Sequence, residues 1–262
     1  MTTSLDEYAN RFNTVRFERE EGILQMTFHT NGDSLRWGAE PSHEMQEAFG
    51  AVADDPENRI VILTGTGAEF NGPKGSGASF PRTSARAWES AHWTVRHLLM
   101  NFLDIEAPII TALNGPVYRH CETPLLADIV LASDTTVISD SGHFVNGLLP
   151  GDGMHIVMMM LMGATRARYF MLTGQEIGAE EAQRIGLVNE VLPQDQVLPR
   201  AWELARQLNQ RSQLMLRYTR VAFVHEMKQR IMAGQGYGTL LEGMAAIEDS
   251  KDATGYELGG RF

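Results

Sequence analysis

The sequence predicts an α/β fold that ends in a purely helical region. Residues 109–113 (IITAL) and 128–132 (DIVLA) are apolar runs of the kind found in strands that are buried on both faces. Strand, loop and helix patterns repeat along the first part of the chain, which favours a parallel sheet. From 194 to 247 the apolar residues recur almost throughout at helical spacing. This change of pattern predicts a core of residues 1–195 and a helical region of residues 196–262.

The individual elements follow from local patterns, taken in chain order. Residues 14–18 and 22–28 alternate apolar and polar side chains around the turn at 19–22, so a β-hairpin is expected. Pro41 is expected to begin a helix, because proline suits the first helical turn. The other predictions are helices at 41–53, 84–104, 154–162, 164–172 and 179–185, strands at 59–63 and 187–191, an irregular loop reaching residue 82, and a loose tail at 250–262.

Composition narrows the class of partner and the compartment. The 262-residue chain carries 22 Lys and Arg against 33 Asp and Glu, a net charge of −11. This balance argues against nucleic acid or an anionic membrane as the main partner. Cys121 is the only cysteine, which excludes an intrachain disulfide and suits a reducing cytoplasm. The first residues lack the features of a secretory signal, and the longest apolar run, 156–162, is too short to span a membrane. A cytoplasmic location is therefore expected.

Candidate reactive side chains concentrate between residues 114 and 155. His120, His143 and Asp152 each lie on or beside a turn marked by glycine or proline. Turns held by a rigid scaffold are where proteins usually display reacting groups. Because predicted buried strands accompany this stretch, it is the predicted catalytic pocket.

Five segments of the chain resemble a known family. They read, in order, VILTGTGAEF, APIITALNGPV, ADIVLAS, GLLPGDG and YFMLTGQEIGAEEAQRIGLVNEVLP. In these segments the sequence resembles the crotonase (enoyl-CoA hydratase/isomerase) superfamily. The resemblance implies the crotonase fold, which is a spiral of ββα turns followed by a C-terminal helical trimerisation region. It also implies a homotrimer or a dimer of trimers.

The chain departs from most of that superfamily where a thioester would bind. Most members stabilise the enolate of an acyl-CoA with two backbone N–H groups, one of them in a Gly-Gly-Gly segment. Here residues 118–120 read YRH, so bulky side chains replace glycine. The second N–H normally lies in a loop reading F-x-A-G-A-D, which here is FNGPKG at 70–75, and the hydratase glutamate is replaced by His143. A complete thioester oxyanion hole is therefore not expected.

One branch of the superfamily shares these departures, namely 6-oxocamphor hydrolase and related β-diketone hydrolases. Its histidine in the NGPV turn is matched by His120, and its histidine in a DGPHF-type turn is matched by His143 in DSGHF. Its aspartate in PGDGxH is matched by Asp152, its tryptophan in SLxW by Trp37, and its C-terminal glutamate by Glu242. The resemblance implies hydrolysis of a cyclic or bicyclic β-diketone by a retro-Claisen reaction without coenzyme A.

The chemistry of that reaction explains these residue types. Water must be activated, an oxyanion stabilised and a leaving enolate protonated. Imidazole is a suitable base at neutral pH, so His143 oriented by Asp152 is the predicted base. His120 is expected to donate to the oxyanion or to protonate the enolate. Trp37 can donate to a substrate carbonyl, and Glu242 can close the pocket and contact a carbonyl or the nascent acid. A ketone electrophile needs neither metal nor cofactor, so none is predicted.

Other interpretations of the same residues stay open at this point. A loop histidine is often only a hydrogen-bonded structural residue, Trp37 suits packing, and Glu242 suits a solvated helix face or an intersubunit pair. Glu122 lies six positions before Asp128, as a hydratase glutamate does before its aspartate. An acyl-CoA hydratase, isomerase or thioesterase is therefore the first alternative. A catalytically silent trimer that acts as a scaffold is the second.

Overall fold

The computed structural model describes residues 3–74 and 84–248. The predicted irregular loop lies outside these residues from position 75 to its end at 82, and the predicted tail at 250–262 lies wholly outside them. Within the described residues the strands are β1 (Val15–Glu20), β2 (Ile23–Phe28), β3 (Leu35–Arg36), β4 (Ile60–Gly65), β5 (Asn71–Gly72), β6 (Ile109–Leu113), β7 (Ile129–Ser133), β8 (Val137–Ile138), β9 (Ile177–Gly178) and β10 (Glu190–Leu192). The helices are α1 (Leu5–Tyr8), α2 (Ala39–Ala53), α3 (Ala85–Asp104), α4 (Glu122–Leu125), α5 (Met154–Met162), α6 (Ala164–Thr173), α7 (Ala179–Arg184), α8 (Gln194–Leu208) and α9 (Gln213–Glu248).

The main sheet has the strand order β1-β2-β4-β6-β7-β10. Its first pair is the predicted hairpin, in which Glu20 pairs with Ile23 and the turn residues Glu21 and Gly22 both have positive φ, 51° and 80°. That backbone suits a two-residue turn, because it matches the right-handed twist of the strands. All later pairs of this sheet are parallel. The predicted α/β class with a parallel sheet is confirmed.

Both faces of the sheet are buried, as the continuous apolar runs predicted. Along β4, Val61 and Leu63 belong to one core cluster, whereas Ile60 and Ile62 belong to the other. This alternation follows from the two-residue period of a strand. Helices α2 and α3 cover the first face, and α8 covers the second, since its buried residues pack in the same cluster as Ile60 and Ile62. The predicted boundary at residue 195 stays a prediction.

The long helix α9 is fixed to the core by a buried arginine. Arg220 is 1% exposed, and its guanidinium lies 2.6 Å from Asp128 Oδ2 and 2.7 Å from the carbonyl oxygen of Ile105. Burial lowers the pKa of Arg220, and the Asp128 carboxylate opposes that effect. Several large apolar side chains of α9 are exposed, including Tyr218, Phe223 and Met232. The predicted homotrimer or dimer of trimers stays a prediction.

The long predicted elements are confirmed, and the main error concerns the last strand. The predicted strand at 187–191 is wrong in its bounds, since β10 spans Glu190–Leu192. Leu187 and Val188 are still in the turn that ends α7, where both backbone N–H groups point to the carbonyl oxygen of Ala182. The short elements α1, α4, β3, β5, β8 and β9 were not predicted, because so few residues show no periodicity. Across the described ranges, none of the helices combines the length and apolarity that crossing a bilayer requires.

Candidate active site

The five sequence-predicted site residues come from five separate parts of the fold. Trp37 follows β3, and His120 lies in the loop between β6 and α4. His143 lies between β8 and the 3₁₀ turn at Phe144–Asn146, and Asp152 lies in the turn that precedes α5. Glu242 reaches the same place from α9, where its pKa is affected by the charges of Asp152 and His143. The structure therefore brings together residues that are more than two hundred positions apart in the sequence.

His143 is held between two carboxylates. Its Nδ1 lies 2.6 Å from Asp140 Oδ1, and its Nε2 lies 3.1 Å from Asp152 Oδ2. Ionised carboxylates only accept hydrogen bonds, so both ring nitrogens must donate, which only an imidazolium can do. Burial disfavours the charge, but the two carboxylates outweigh it and hold the pKa of His143 well above its usual value. His143 is therefore a buried cation.

This geometry does not suit the base role predicted for His143. A general base needs a free ring nitrogen within reach of the proton that it removes. Both nitrogens of His143 are already engaged by carboxylates, and the side chain is only 5% exposed. The predicted site residues did not include the second partner, Asp140, on which this geometry depends. That His143 acts in catalysis stays a prediction.

Asp152 links the two histidines through a single oxygen atom. Its Oδ2 lies 3.1 Å from His143 Nε2 and 3.2 Å from His120 Nδ1. Burial raises the pKa of Asp152. The His143 cation and its hydrogen bond lower that pKa by more than burial raises it, so the net pKa lies well below its usual value. Asp152 is therefore ionised across the physiological range. Its carbonyl oxygen accepts a hydrogen bond of 2.6 Å from Gln235 on α9, which fixes the turn.

His120 occupies a backbone conformation that ordinarily favours glycine. Its φ is 45°, in the left-handed region that non-glycine residues rarely adopt. Residues with such a backbone concentrate at functional sites. The loop is held by Asn71, whose side-chain oxygen accepts hydrogen bonds from the backbone N–H groups of Tyr118 and Arg119, at 3.1 and 2.9 Å. The chain thus keeps a glycine-like backbone at the position where it carries an imidazole.

The His120 ring has three close neighbours besides Asp152. Its Nδ1 lies 3.0 Å from Glu122 Oε1, and its ring centre lies 4.3 Å from that of Trp37. The His143 ring stands edge-on to it at 5.7 Å. Its Nε2 makes no hydrogen bond to any residue in the part of the chain that is described, and 13% of the side chain is exposed. His120 is therefore the more accessible of the two imidazoles.

Two carboxylates of the site were not singled out as site residues. Asp140 lies three positions before His143, and the turn between them brings the two side chains together. Glu122 was noticed only for its hydratase-like spacing, yet it is 1% exposed and touches His120. Burial is the largest effect on Glu122 and raises its pKa. The short spacing of Asp140 to His143 and of His120 to Glu122 was a signal that could have identified both.

Glu242 is a buried carboxyl group with a raised pKa. It is 4% exposed, and its Oε2 has no hydrogen-bond partner among the described residues. Burial, followed by the nearby charge of Asp152, raises the pKa of Glu242 to about 9. The carboxyl group is therefore protonated at neutral pH and can donate a hydrogen bond or a proton. The predicted role as a partner of a carbonyl or nascent acid stays a prediction.

We expect the Glu242→Gln variant to be more stable than the wild type above about pH 6, with a difference that grows with pH. The unfolded chain releases the Glu242 proton near its ordinary pKa of 4.5, but the native protein holds it to about 9. Stability is therefore lost as pH rises through this window, by at most about 1.4 kcal/mol per pH unit. Thermal unfolding from about pH 5 to pH 9 measures this. If stability depended on pH in the same way for the two proteins, Glu242 would not be a buried neutral acid.

Helix α9 meets the Asp152 turn backbone to backbone. A Cβ atom added at Gly238 would overlap the carbonyl oxygen of Gly151, and one added at Gly151 would overlap that of Gly238. Such a close approach requires glycine on both sides. Together with the Gln235 hydrogen bond to the Asp152 carbonyl oxygen, it holds α9, the helix that carries Glu242, against the Asp152 turn.

We expect Gly238→Ala to lower stability by about 1–3 kcal/mol, because the new methyl group must push α9 away from the turn. Turnover should fall as well, since Glu242 moves with the helix. Gly236→Ala is the matched control, because its added Cβ would meet nothing closer than His92 Cε1 at 3.8 Å. Alanine favours a helix over glycine by about 1 kcal/mol, so this control should be neutral or stabilised. Equal denaturation midpoints for the two variants would contradict the close packing.

Two further groups bear on ligand binding. Trp37 is 8% exposed, and its indole N–H is buried without a hydrogen-bond partner in the described ranges, which leaves it free to donate.

His120 Nδ1 and one carboxylate oxygen each from Glu122 and Asp152 lie within 4.8 Å of one another, as metal ligands would. The His143 cation that already binds the same Asp152 oxygen disfavours a metal ion there. That the site uses no metal and no cofactor stays a prediction.

Comparison with known proteins identifies the family. The sequence profile of the enoyl-CoA hydratase/isomerase family matches residues 18–247. A β-diketone hydrolase from the cyanobacterium Anabaena sp. PCC 7120, solved bound to (S)-3-oxocyclohexyl acetic acid, is 40% identical. The similarity covers 92% of this chain and 97% of that one, with a TM-score of 0.87. An enoyl-CoA hydratase/isomerase from Mycobacterium paratuberculosis has a TM-score of 0.80 at 19% identity, over 90% of this chain and 95% of that one.

Curated relatives with names that refer to coenzyme A are more distant in sequence. The probable enoyl-CoA hydratase of Mycobacterium bovis is 30% identical over 63% of this chain, and the match spans only 60% of the length of that relative. The carnitinyl-CoA dehydratase of Escherichia coli strain SMS-3-5 is 28% identical over 90% of this chain and 93% of its own. The family profile and the solved structures confirm the predicted crotonase fold. This chain belongs to the enoyl-CoA hydratase/isomerase (crotonase) family.

Proposed function

We propose that this protein is a cofactor-independent carbon–carbon bond hydrolase that opens a cyclic or bicyclic β-diketone to a keto acid by a retro-Claisen reaction. The observation that carries the proposal is the pair of imidazoles joined through one oxygen of Asp152, which lies 3.1 Å from His143 Nε2 and 3.2 Å from His120 Nδ1. A thioester site of this family needs bare backbone at this place. A hydrolytic site needs a base, charged hydrogen-bond donors and an acid, which this cluster contains.

The reaction balances without any redox partner. Water loses a proton to an imidazole as its oxygen bonds to one carbonyl carbon, and the carbonyl electron pair becomes an alkoxide. Collapse of that alkoxide forms the acid and breaks the bond to the carbon between the two carbonyls. The electrons of that bond form an enolate at the second carbonyl, and a proton completes the ketone. The neutral Glu242 carboxyl and the Trp37 N–H are suited to hold that second carbonyl while charge develops on it.

The loop around Asn71 supports a site that works without coenzyme A. The family places one thioester-binding N–H in the segment that here reads YRH, at residues 118–120. Two backbone N–H groups of this segment, those of Tyr118 and Arg119, already donate to the side-chain oxygen of Asn71. A donor engaged within the protein cannot stabilise a substrate oxyanion without breaking its own hydrogen bond.

The Anabaena relative supports the substrate class and indicates a test compound. Its bound ligand, (S)-3-oxocyclohexyl acetic acid, is a keto acid. Joining the carboxyl carbon of that acid to the ring carbon beside the ketone, on the side away from the acetic acid arm, gives a symmetric bicyclic 1,3-diketone. The proton on the bridgehead carbon between the two carbonyls cannot be lost to form an enolate, because that would require a double bond at the bridgehead. Both carbonyls therefore stay electrophilic.

The direct experiment offers the purified protein this bicyclic diketone, monocyclic 1,3-diketones that carry two alkyl groups on the central carbon, and crotonyl-CoA, each without added cofactor. The expected result is a keto acid from at least one diketone, identified by mass spectrometry, and no hydration of crotonyl-CoA. Hydration of crotonyl-CoA with every diketone left intact would overturn the proposal.

An acyl-CoA hydratase is the second candidate, because Glu122 is buried in the site at the hydratase-like position. The enoyl-CoA hydratase and carnitinyl-CoA dehydratase among the relatives agree with it. This function predicts thermal stabilisation by acyl-CoA, whereas diketone hydrolysis predicts none. The contact between Glu122 and His120 Nδ1 is against it, since that carboxylate is engaged by an imidazole.

A further inference from the structure

We propose that His120, and not His143, takes the proton from the attacking water, and that Glu122 is the carboxylate that positions His120 for this step. The inference rests on the proposed diketone hydrolysis and assigns the base within that same site. It makes His143 a fixed cation that acts through Asp152.

The two imidazole rings differ in how many of their nitrogens are engaged. Both nitrogens of His143 face carboxylates, Asp140 at 2.6 Å and Asp152 at 3.1 Å, so it can accept no further proton. Only one nitrogen of His120 is engaged, and Nε2 is without a partner within the described residues. An imidazole with Nδ1 on a carboxylate and Nε2 free has the arrangement of the base in a hydrolase triad.

Asp152 determines which nitrogen of His120 carries the proton. Asp152 is ionised, since the His143 cation lowers its pKa, and its Oδ2 lies 3.2 Å from His120 Nδ1. A carboxylate beside a bare nitrogen would place two lone pairs against each other, so Nδ1 must hold the proton. In a neutral His120, Nε2 is therefore the bare nitrogen and can accept.

The two carboxylates beside His120, those of Asp152 and Glu122, have different roles. Asp152 Oδ2 is shared with the His143 cation, whereas Glu122 Oε1 has the His120 ring as its one partner in the described residues. Glu122 is also the nearer acceptor, at 3.0 Å. Because Trp37 stacks on the ring at 4.3 Å, a hydrogen bond at Nδ1 fixes the direction of Nε2 within the ring plane. Glu122 is therefore the positioning residue.

In the resulting step, the O–H bond of water breaks and its proton moves to Nε2 of His120, while the oxygen bonds to the substrate carbonyl carbon. His120 becomes an imidazolium between Glu122, Asp152 and the water-derived oxygen. Its new proton is then available for the enolate that leaves. The proton that His120 takes from water thus returns to product, and the residue is regenerated.

Nitrogen-15 NMR of the histidine-labelled protein tests the protonation pattern without any substrate. At about pH 7.5 we expect both ring nitrogens of His143 to be protonated and His120 to show a protonated Nδ1 with a bare Nε2. Signals are assigned with His120→Asn and His143→Gln, and His43→Gln, exposed on α2, is the control. A bare nitrogen on His143, or a bare Nδ1 on His120, would overturn the proposal.

Kinetics on the diketone test the roles. His120→Asn keeps a residue that tolerates positive φ, and we expect kcat to fall by about 10²–10⁴-fold with the fold intact. Glu122→Gln should lower kcat at least about tenfold at unchanged KM, while the NMR spectrum still shows the His120 proton on Nδ1, because Asp152 is in place. Unchanged kcat in either variant would overturn the corresponding role. If the wild type opens no diketone, the proposed function fails, and the NMR experiment still decides the protonation pattern.

Discussion

Replacing His143 by alanine is expected to cost about 3–5 kcal/mol of folding stability and to abolish detectable turnover. The change leaves Asp140 and Asp152, which are 1% and 4% exposed, as buried carboxylates without their shared cation. Removing one partner of a buried ion pair has a cost of this size. Chemical denaturation measures the stability, and the keto acid assay measures turnover.

A second substitution separates the charge effect from simple loss of packing. Asp140→Asn in the His143→Ala background removes one of the two unpaired charges, so part of the stability should return. His143→Lys keeps a cation and is expected to retain more turnover than the neutral His143→Gln. If the double variant is no more stable than His143→Ala, the buried cation is not what holds this region together.

Asp152→Asn is expected to lower kcat by about 10³–10⁴-fold, comparable to the loss of the triad carboxylate in a hydrolase. The single oxygen that joins the two histidines then loses its charge, so His143 loses one of the two carboxylates that keep it charged. His120 loses the ionised neighbour that keeps its proton on Nδ1. KM should change little, because Asp152 holds the histidines and not the substrate.

The control for Asp152→Asn is Gln235→Ala. That change removes the hydrogen bond to the Asp152 carbonyl oxygen but leaves the carboxylate in place. It should loosen the turn and lower stability, with a much smaller effect on kcat. Equal loss of kcat in the two variants would mean that the position of the turn matters and the carboxylate charge does not.

The sequence was sufficient to predict which residues come together, but not to assign a role to each of them. Turn signals and the family resemblance identified His120, His143 and Asp152, and the structure brings them within hydrogen-bond distance. The protonation state of His143 depends on Asp140, which the family pattern did not mark. Whether a ring nitrogen is free is a property of its neighbours in space, and residue types at given spacings do not determine it.

In the fold, too, the sequence pattern predicts the long buried elements but not the contacts between distant residues. Runs such as Ile109–Leu113 were identifiable because burial on both faces leaves a continuous apolar signal. The two-residue strands Leu35–Arg36 and Asn71–Gly72 left no such signal, although they pair with each other beside Trp37 and the His120 loop. The approach of α9 to the Asp152 turn depends on Gly151 and Gly238, which are distant in sequence. Neither glycine alone predicts that contact.

The most direct test of carbon–carbon hydrolysis is a reaction in water enriched in oxygen-18, with the symmetric bicyclic 1,3-diketone and no coenzyme A. The expected product is one ring-opened keto acid whose carboxyl group carries a single oxygen-18 from water, formed by the wild type and at a far lower rate by His120→Asn. Recovery of unopened diketone, together with hydration of an enoyl-CoA by the same protein sample, would contradict the account.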